Sequence, residues 1–206
     1  VLHPDWWNAH EEIVFDEDFF FHPERRIEDE LHMEKALYDR WGAYGLGADH
    51  DSNIPAIGAV TLAAGFLVSG MLGCGIDYSA DAAPAVIPAD LPDLRISEDA
   101  AFSSPLWKKF TALVEKLKAK HGRIRGDVNW GGILNIALDL RGQSLLMDFF
   151  DRPAEVMAFF TTIRNVIERF TRYLETETGT TSISVNRITR FFPEPVFLHS
   201  ECSHTM

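Results

Sequence analysis

Basic charge is scarce in this chain: 19 Lys and Arg stand against 31 Asp and Glu, a net charge of -12 over 206 residues. Polyanions attract Lys and Arg, so nucleic acid and anionic membrane surfaces are excluded as the main partner, although one pocket can still be locally basic. Cysteine is scarce as well. Cys74 and Cys202 are far apart and form no CxxC pair, which excludes a disulfide scaffold and favours a reducing, cytoplasmic setting. No basic segment followed by an apolar one stands at the start, so a secretory leader is not expected. Nor is any long apolar run free of helix breakers. The nearest approach, Ile54 to Ile76, contains Pro55 and closely spaced glycines, with Asp49, Asp51 and Asp77 at its flanks. Dense glycine weakens a helix, so buried loop and helix are expected there rather than a membrane span.

What is present is apolar material: 46% of residues are hydrophobic and 12% aromatic, enough for one sizeable core. Residues 1–22 mix Trp6, Trp7 and Phe19 to Phe21 with acids and show no clean period. They read as an arm that packs its aromatics on the body. Pro23 suits the first helical position, and Ile27, Leu31, Leu37, Tyr38 and Trp41 follow at steps of about four, with Ala36 off register. Gly42, Gly45 and Gly47 end that helix. Gly75 to Ile87 alternates like a strand. Ser104-Pro105 opens a helix with the stripe Trp107, Phe110, Leu113, Val114 and Leu117, and with Lys108, Lys109, Lys116, Lys118 and Lys120 on its wet side; Gly122 stops it.

Arg123 to Trp130 reads as a strand and Ile133 to Leu140 as a buried helix. Pro153 to Glu177 is the longest helix, with Val156, Phe159, Phe160, Ile163, Ile167, Phe170 and Leu174 spaced by three or four. Thr180 to Ile188, rich in β-branched residues, reads as a second strand and Pro195 to Cys202 as a third. Strands alternating with helices favour an α/β fold with parallel strands.

One stretch carries more than periodicity. Gly126-Asp127-Val128-Asn129-Trp130-Gly131-Gly132 is followed by Ala137-Leu138-Asp139-Leu140-Arg141-Gly142, then Leu146-Met147-Asp148 and Asp151-Arg152-Pro153-Ala154-Glu155-Val156. This order of strand, glycine turn, helix and acidic Pro-led long helix resembles the uroporphyrinogen decarboxylase superfamily. Helix-start physics, Pro at the first position and an acid in the first turn, accounts for part of the pattern. The resemblance spans about Asn53 to Met206. It implies the N-terminal part of a (β/α)8 TIM barrel over residues 51–206, with residues 1–50 as an N-terminal arm and helix packed on it. A barrel takes about 250 residues, so a C-terminal half or a second chain is expected to complete it.

The superfamily has a cofactor-free decarboxylase branch and a branch of corrinoid-linked methyltransferases. The decarboxylase carries an Arg-Gln-Ala-Gly-Arg stretch near its start, and nothing like it is present here. The Ile54-Pro55 region and Gly73-Cys74-Gly75, followed by prolines up to Pro92, look more like the methyltransferase branch. The resemblance therefore implies methyl transfer between a cobamide carried by a partner protein and a thiol or other small acceptor. The alternative is decarboxylation of a polycarboxylate of porphyrin biosynthesis, for which Arg187, Arg190 and Arg141 are the available cations. A third reading is a non-catalytic half that works with a second chain.

In such barrels chemistry sits at the C-terminal strand ends. That places Asp127, Asn129 and Trp130 at the first candidate strand, Asn186 and Arg187 at the second, and His199, Glu201, Cys202 and His204 at the third. Asp127, His199 and Glu201 are the candidate catalytic residues, and Asn129, Trp130, Asn186, Arg187 and His204 the candidate substrate contacts. Asp127 reads as a general base or a hydrogen-bond acceptor, or else as a cap for the helix start at Gly131-Gly132. Arg187 reads as a carboxylate or phosphate ligand, or as the ion-pair partner of Glu175 or Glu177. His199 and Cys202 are candidate zinc ligands. In a strand they point to opposite faces, whereas 199 and 201 share one, and the alternative is a polar strand end lining the pocket. The superfamily's zinc site is typically His-x-Cys with a distant Cys, so the main zinc motif is expected beyond Met206. Cys74, beside two glycines, reads as a small buried residue, and His22, His32 and His50 show no ligand spacing.

Overall fold

A computed structural model describes residues 2–47, 55–57, 66–126, 131–179, 181–185 and 188–192. The N-terminal arm is helical: α1 (Pro4–Glu11), α2 (Glu17–Phe21) and α3 (Pro23–Trp41) follow one another with short breaks. Asp16 caps α2 by accepting from the Phe19 N–H at 3.1 Å, and His22 caps α3 by accepting from the Arg25 N–H through Nδ1. Pro23 takes the first helical position, as expected. The arm packs its aromatics inward: Trp7, Phe15, Phe19 and Phe20 are buried. Edge-to-face contacts run from Phe15 to Phe19, Phe20 and Phe66, with Tyr78 against the last two. Arm and body therefore share one hydrophobic core.

The inward face of α3 differs from the expected stripe. Leu31 and Tyr38 are exposed, whereas Arg26, Met33 and the off-register Ala36 are buried. The reason is Arg26. Its guanidinium lies over the Phe19 ring at 5.0 Å and pairs with Glu30 at 2.7 Å, which compensates its burial and turns the helix toward it.

After a 3-10 turn at Gly42–Tyr44 the body comprises β1 (Ala56–Ile57), α4 (Phe66–Met71), β2 (Gly75–Asp77), β3 (Ala85–Ile87), α5 (Glu98–Ala101), α6 (Pro105–His121), β4 (Arg125–Gly126), α7 (Ile133–Arg141), α8 (Ser144–Asp151), α9 (Pro153–Thr178), β5 (Thr181–Val185) and β6 (Ile188–Phe192). Helices dominate. Among the described residues no helix is long and apolar enough to cross a membrane.

Helices α6 and α9 form as their patterns predict. In α6, Ser104 accepts from the Trp107 N–H at 3.1 Å and Pro105 stands at the start. Phe110, Leu113, Val114 and Leu117 are buried and the lysines line the outer side, Lys109 pairing with Glu17 at 2.6 Å. In α9 the buried set is Val156, Phe159, Ile163, Val166, Ile167, Phe170, Thr171 and Leu174. Helix α9 packs on α5, α7, α8 and β4, and its Phe170 meets the Trp107 and Phe110 rings of α6.

Three strand pairs are present among the described residues. Strands β1 and β4 are parallel, with Ala56 opposite Arg125 and Ile57 opposite Gly126. The chain between them passes through α4, α5 and α6, as a parallel connection requires. A parallel pair fits the expected α/β class and β4 falls within the expected first strand, but its partner β1 lies in the stretch expected to be loop and helix. The alternating stretch Gly75 to Ile87 is a hairpin, β2 against β3. The expected second strand corrects more sharply: it divides into β5 and β6, paired antiparallel with Val185 opposite Ile188. Only Asn186 and Arg187 separate them, and two residues can join antiparallel strands but not parallel ones. The expected third strand, Pro195 to Cys202, lies outside the described residues.

The turn after α3 depends on one glycine. At Gly47, φ is +61° and an added Cβ would stand 2.2 Å from the Tyr38 backbone nitrogen. Gly45 has φ +76° but open space around it. Gly45→Ala is expected to cost about 1 kcal/mol from backbone conformation, and Gly47→Ala at least about 2 kcal/mol more because backbone must move. Urea unfolding of both variants measures this; equal losses would refute the packing argument.

Candidate functional site

Parallel β1 and β4 lie side by side, with Ile57 opposite Gly126 as the last described residue of each. In α/β structures ligands bind at the C-terminal ends of parallel strands. The pair is anchored by the Arg125 N–H, which donates to the Pro55 carbonyl at 3.0 Å. Asp127, Val128, Asn129 and Trp130 follow Gly126 in the chain, and the described structure resumes at Gly131. The capping position of α7 belongs to Gly132, in extended conformation and without a side-chain bond. Asp127, Asn129 and Trp130 lie outside the described residues, as do Asn186, Arg187, His199, Glu201, Cys202 and His204. The fold thus brings together the scaffold of the first candidate strand end and leaves the nominated side chains unplaced.

Polar groups that residue type alone does not single out join the helices that follow β4. Asp148, 4% exposed, is gripped by two arginines. Arg141 Nε donates to Asp148 Oδ2 at 2.7 Å, and its Nη1 to the Leu91 carbonyl at 2.6 Å. Arg152 Nε donates to Asp148 Oδ1 at 3.2 Å. The Arg141 hydrogen bond first, and the Arg152 bond with it, hold the Asp148 carboxyl below the usual carboxylate range. This node ties the C-terminus of α7, all of α8 and the start of α9 to the segment after β3. There the Ala89 and Leu91 N–H groups also cap the Asp139 and Leu140 carbonyls at 2.9 and 2.8 Å, satisfying orphan acceptors of the helix end. The i,i+4 spacing of Asp148 and Arg152 was the available signal; the apolar residues around Asp148 masked it.

A second polar pair lies nearby. Buried Ser69 on α4 donates through Oγ to Asp139 Oδ2 at 2.8 Å. Burial raises the Asp139 carboxyl above its ordinary range and the Ser69 bond partly offsets this. The Cys74 thiol faces the Asp139 backbone carbonyl at 3.5 Å. Burial, reinforced by the Asp139 charge, pushes that thiol up to about 11. It is a neutral thiol in a packed site and a poor nucleophile, in line with its reading as a small buried residue.

His22 caps α3, and His32 Nε2 meets Glu11 at 3.0 Å; His50 lies outside the described residues. Among the described residues no group of three or more His, Cys, Asp or Glu is placed to hold a metal. Glu177, one alternative partner for Arg187, is engaged by Lys118 Nζ at 2.5 Å. No family model, no curated protein and no solved structure matches this chain.

Asp148→Asn is expected to cost about 2 kcal/mol at pH 7, because two guanidiniums then share an uncharged acceptor in a mostly buried site. The Asp148 carboxyl titrates lower in the folded than in the unfolded chain. Its contribution is therefore present above the unfolded value of about 4 and lost as pH falls through the folded value. Urea midpoints of wild type and Asp148→Asn should converge between pH 7 and pH 3, and a gap that stays constant would rule this assignment out. For Cys74, alkylation by iodoacetamide in a Cys202→Ser background is expected to be at least about tenfold slower in the folded than in the urea-unfolded chain. Equal rates would return Cys74 to the list of candidate nucleophiles.

Proposed function

We propose that this chain is the N-terminal part of a (β/α)8-type enzyme resembling the uroporphyrinogen decarboxylase superfamily. In this reading it moves a methyl group between a cobamide held by a partner protein and a thiol or other small acceptor. The succession β4, α7, α8, α9, with Gly131-Gly132 before α7 and Pro153 at the start of α9, fits the order of elements that carries the resemblance. The parallel β1–β4 pair supports this reading, since such enzymes work at the C-terminal ends of parallel strands.

One observation favours methyl transfer over decarboxylation, and that is what Arg141 does. A polycarboxylate needs several free cations at the barrel mouth, and Arg141 was one of three available. Its Nε is bonded to Asp148 and its Nη1 to the Leu91 carbonyl, so it is neutralised and turned into the body. Methyl transfer makes no such demand for cations.

In the proposed assignment Asp127 is the strand-end acceptor that orients the substrate or takes its proton. Asn129, Trp130, Asn186, Arg187 and His204 shape the pocket, and His199 and Glu201 complete the catalytic set. Zinc is a different matter. The one thiol among the described residues, Cys74, does not fit as a ligand, being neutral and bonded to a backbone carbonyl. His199 and Cys202 remain the proposed donors.

The test is incubation with methylcobalamin and a small thiol. Loss of the methylcobalamin absorbance, with the methyl thioether identified by mass, is expected, and Asp127→Asn should slow it by about 100-fold. Decarboxylation of a porphyrinogen without methyl transfer would replace this reading by the alternative. Inertness toward both substrates would leave the non-catalytic half as the better account.

A further inference from the structure

Helix α8 is packed inside out. Its residues Leu145 and Asp148 face the body, at 0% and 4% exposure. Leu146, Met147, Phe149 and Phe150 face solvent, and Phe150 is 83% exposed. Leu146 and Met147 precede Phe150 by four and three residues, so the three share one helical face. The surface continues onto α9. Phe149 packs against the Phe160 ring at 5.8 Å, and Met157, 64% exposed, stands one turn before Phe160. An isolated exposed apolar residue needs no explanation; a contiguous group of Phe, Met and Leu does.

Ordinary amphipathic folding would have turned Asp148 outward and the phenylalanines inward. Arg141 prevents that rotation by holding the carboxylate from α7, and Arg152, at the C-terminal end of α8 itself, adds a local i,i+4 pair. The exposed face is thus fixed by an ionic lock and presented rigidly, which lowers the entropic cost of docking.

We propose that this α8–α9 face is where a second copy of the chain docks, by a two-fold interface that pairs the patch with itself. Size favours this occupant. At their observed exposures the five side chains present on the order of 500 Å². With a polar rim that approaches the roughly 800 Å² per partner of a standard interface. Phe and Met are also residue types enriched in such contacts. Charge favours it too. The chain carries a net charge of -12, so most of its surface repels a second copy. Between residues 141 and 164, however, Arg141, Arg152 and Arg164 balance Asp148, Asp151 and Glu155. The patch lies in a stretch with no net charge, where two identical surfaces approach without stacking like charges. Self-complementarity is what a two-fold contact requires.

Sedimentation equilibrium at micromolar concentration tests this. The wild-type chain is expected to be dimeric, and Phe150→Glu should weaken the dimer by about 30-fold or more. Met157→Lys, on the neighbouring helix, should weaken it as well, and it carries the test if circular dichroism shows that Phe150→Glu disturbs the fold. Leu31→Glu, which alters an exposed leucine on α3, should leave the dimer intact. A monomeric wild type overturns the proposal and assigns the face to some other occupant. So does a dimer indifferent to both patch substitutions.

Discussion

The apolar stripe of α9 is the wall against which the rest of the body is built. Phe159, Ile163, Val166, Ile167 and Phe170 are all but inaccessible, and α5, α7, α8 and β4 reach the core by lying on this helix. Phe170 extends the wall to α6 through its contacts with Trp107 and Phe110. A helix that serves this many partners must be apolar over more than one narrow seam, which explains why Val166 and Ile167 are adjacent and both buried. The parallel pair is tied to this wall through β4, which lies on α9.

The Asp148 node is the second organising constraint. It orients α7, α8 and α9 relative to one another through charge, where the surrounding contacts are non-directional. Hydrophobic packing alone would have allowed α8 to roll; a carboxylate gripped from two sides does not. The same lock removes Arg141 from the cations available to a substrate and turns four apolar side chains of α8 outward. Specificity of packing, availability of charge and character of the surface are here three results of one interaction.

How much of this was legible follows from which rule each element obeys. Helices α6 and α9 were readable because their apolar residues recur every three or four positions and their starts carry Ser104-Pro105 and Pro153. The register of α3 was not, because periodicity counts apolar residues and the inward face there is led by Arg26, compensated by Glu30 and by the Phe19 and Phe20 rings of the preceding helix. For the same reason α8 was opaque, its buried position being held by an aspartate. The expected second strand ran on to Ile188 because that β-branched residue follows β5 so closely, and the rest of β6, from Thr189 to Phe192, was not read as a strand. Of the candidate site, part of the scaffold was legible, a strand through Arg125 and Gly126 and a helix beginning after Gly132; the rest of the expected strand, as far as Trp130, lies outside the described residues. Its chemistry was nominated from residue type and strand-end position at Asp127, Asn186, Arg187 and His199, a different kind of inference from the one that found the helices.

The aromatic chain from Phe15 to Tyr78 has a consequence in time. Glu17 and its partner Lys109 are 92 residues apart, and α2 packs on α6 as well as on α3. On the ribosome, Phe19 and Phe20 leave the exit tunnel long before α4 and α6 exist to cover them. At ordinary elongation rates of about 5–20 residues per second, that is an interval of several seconds. For that interval a run of three consecutive phenylalanines, Phe19 to Phe21, is held among acids: Asp16, Glu17 and Asp18 before it and Glu24 after it. These charges flank the run as gatekeepers. They keep an early-synthesised, late-buried segment apart from its neighbours until the surface it belongs to has been made.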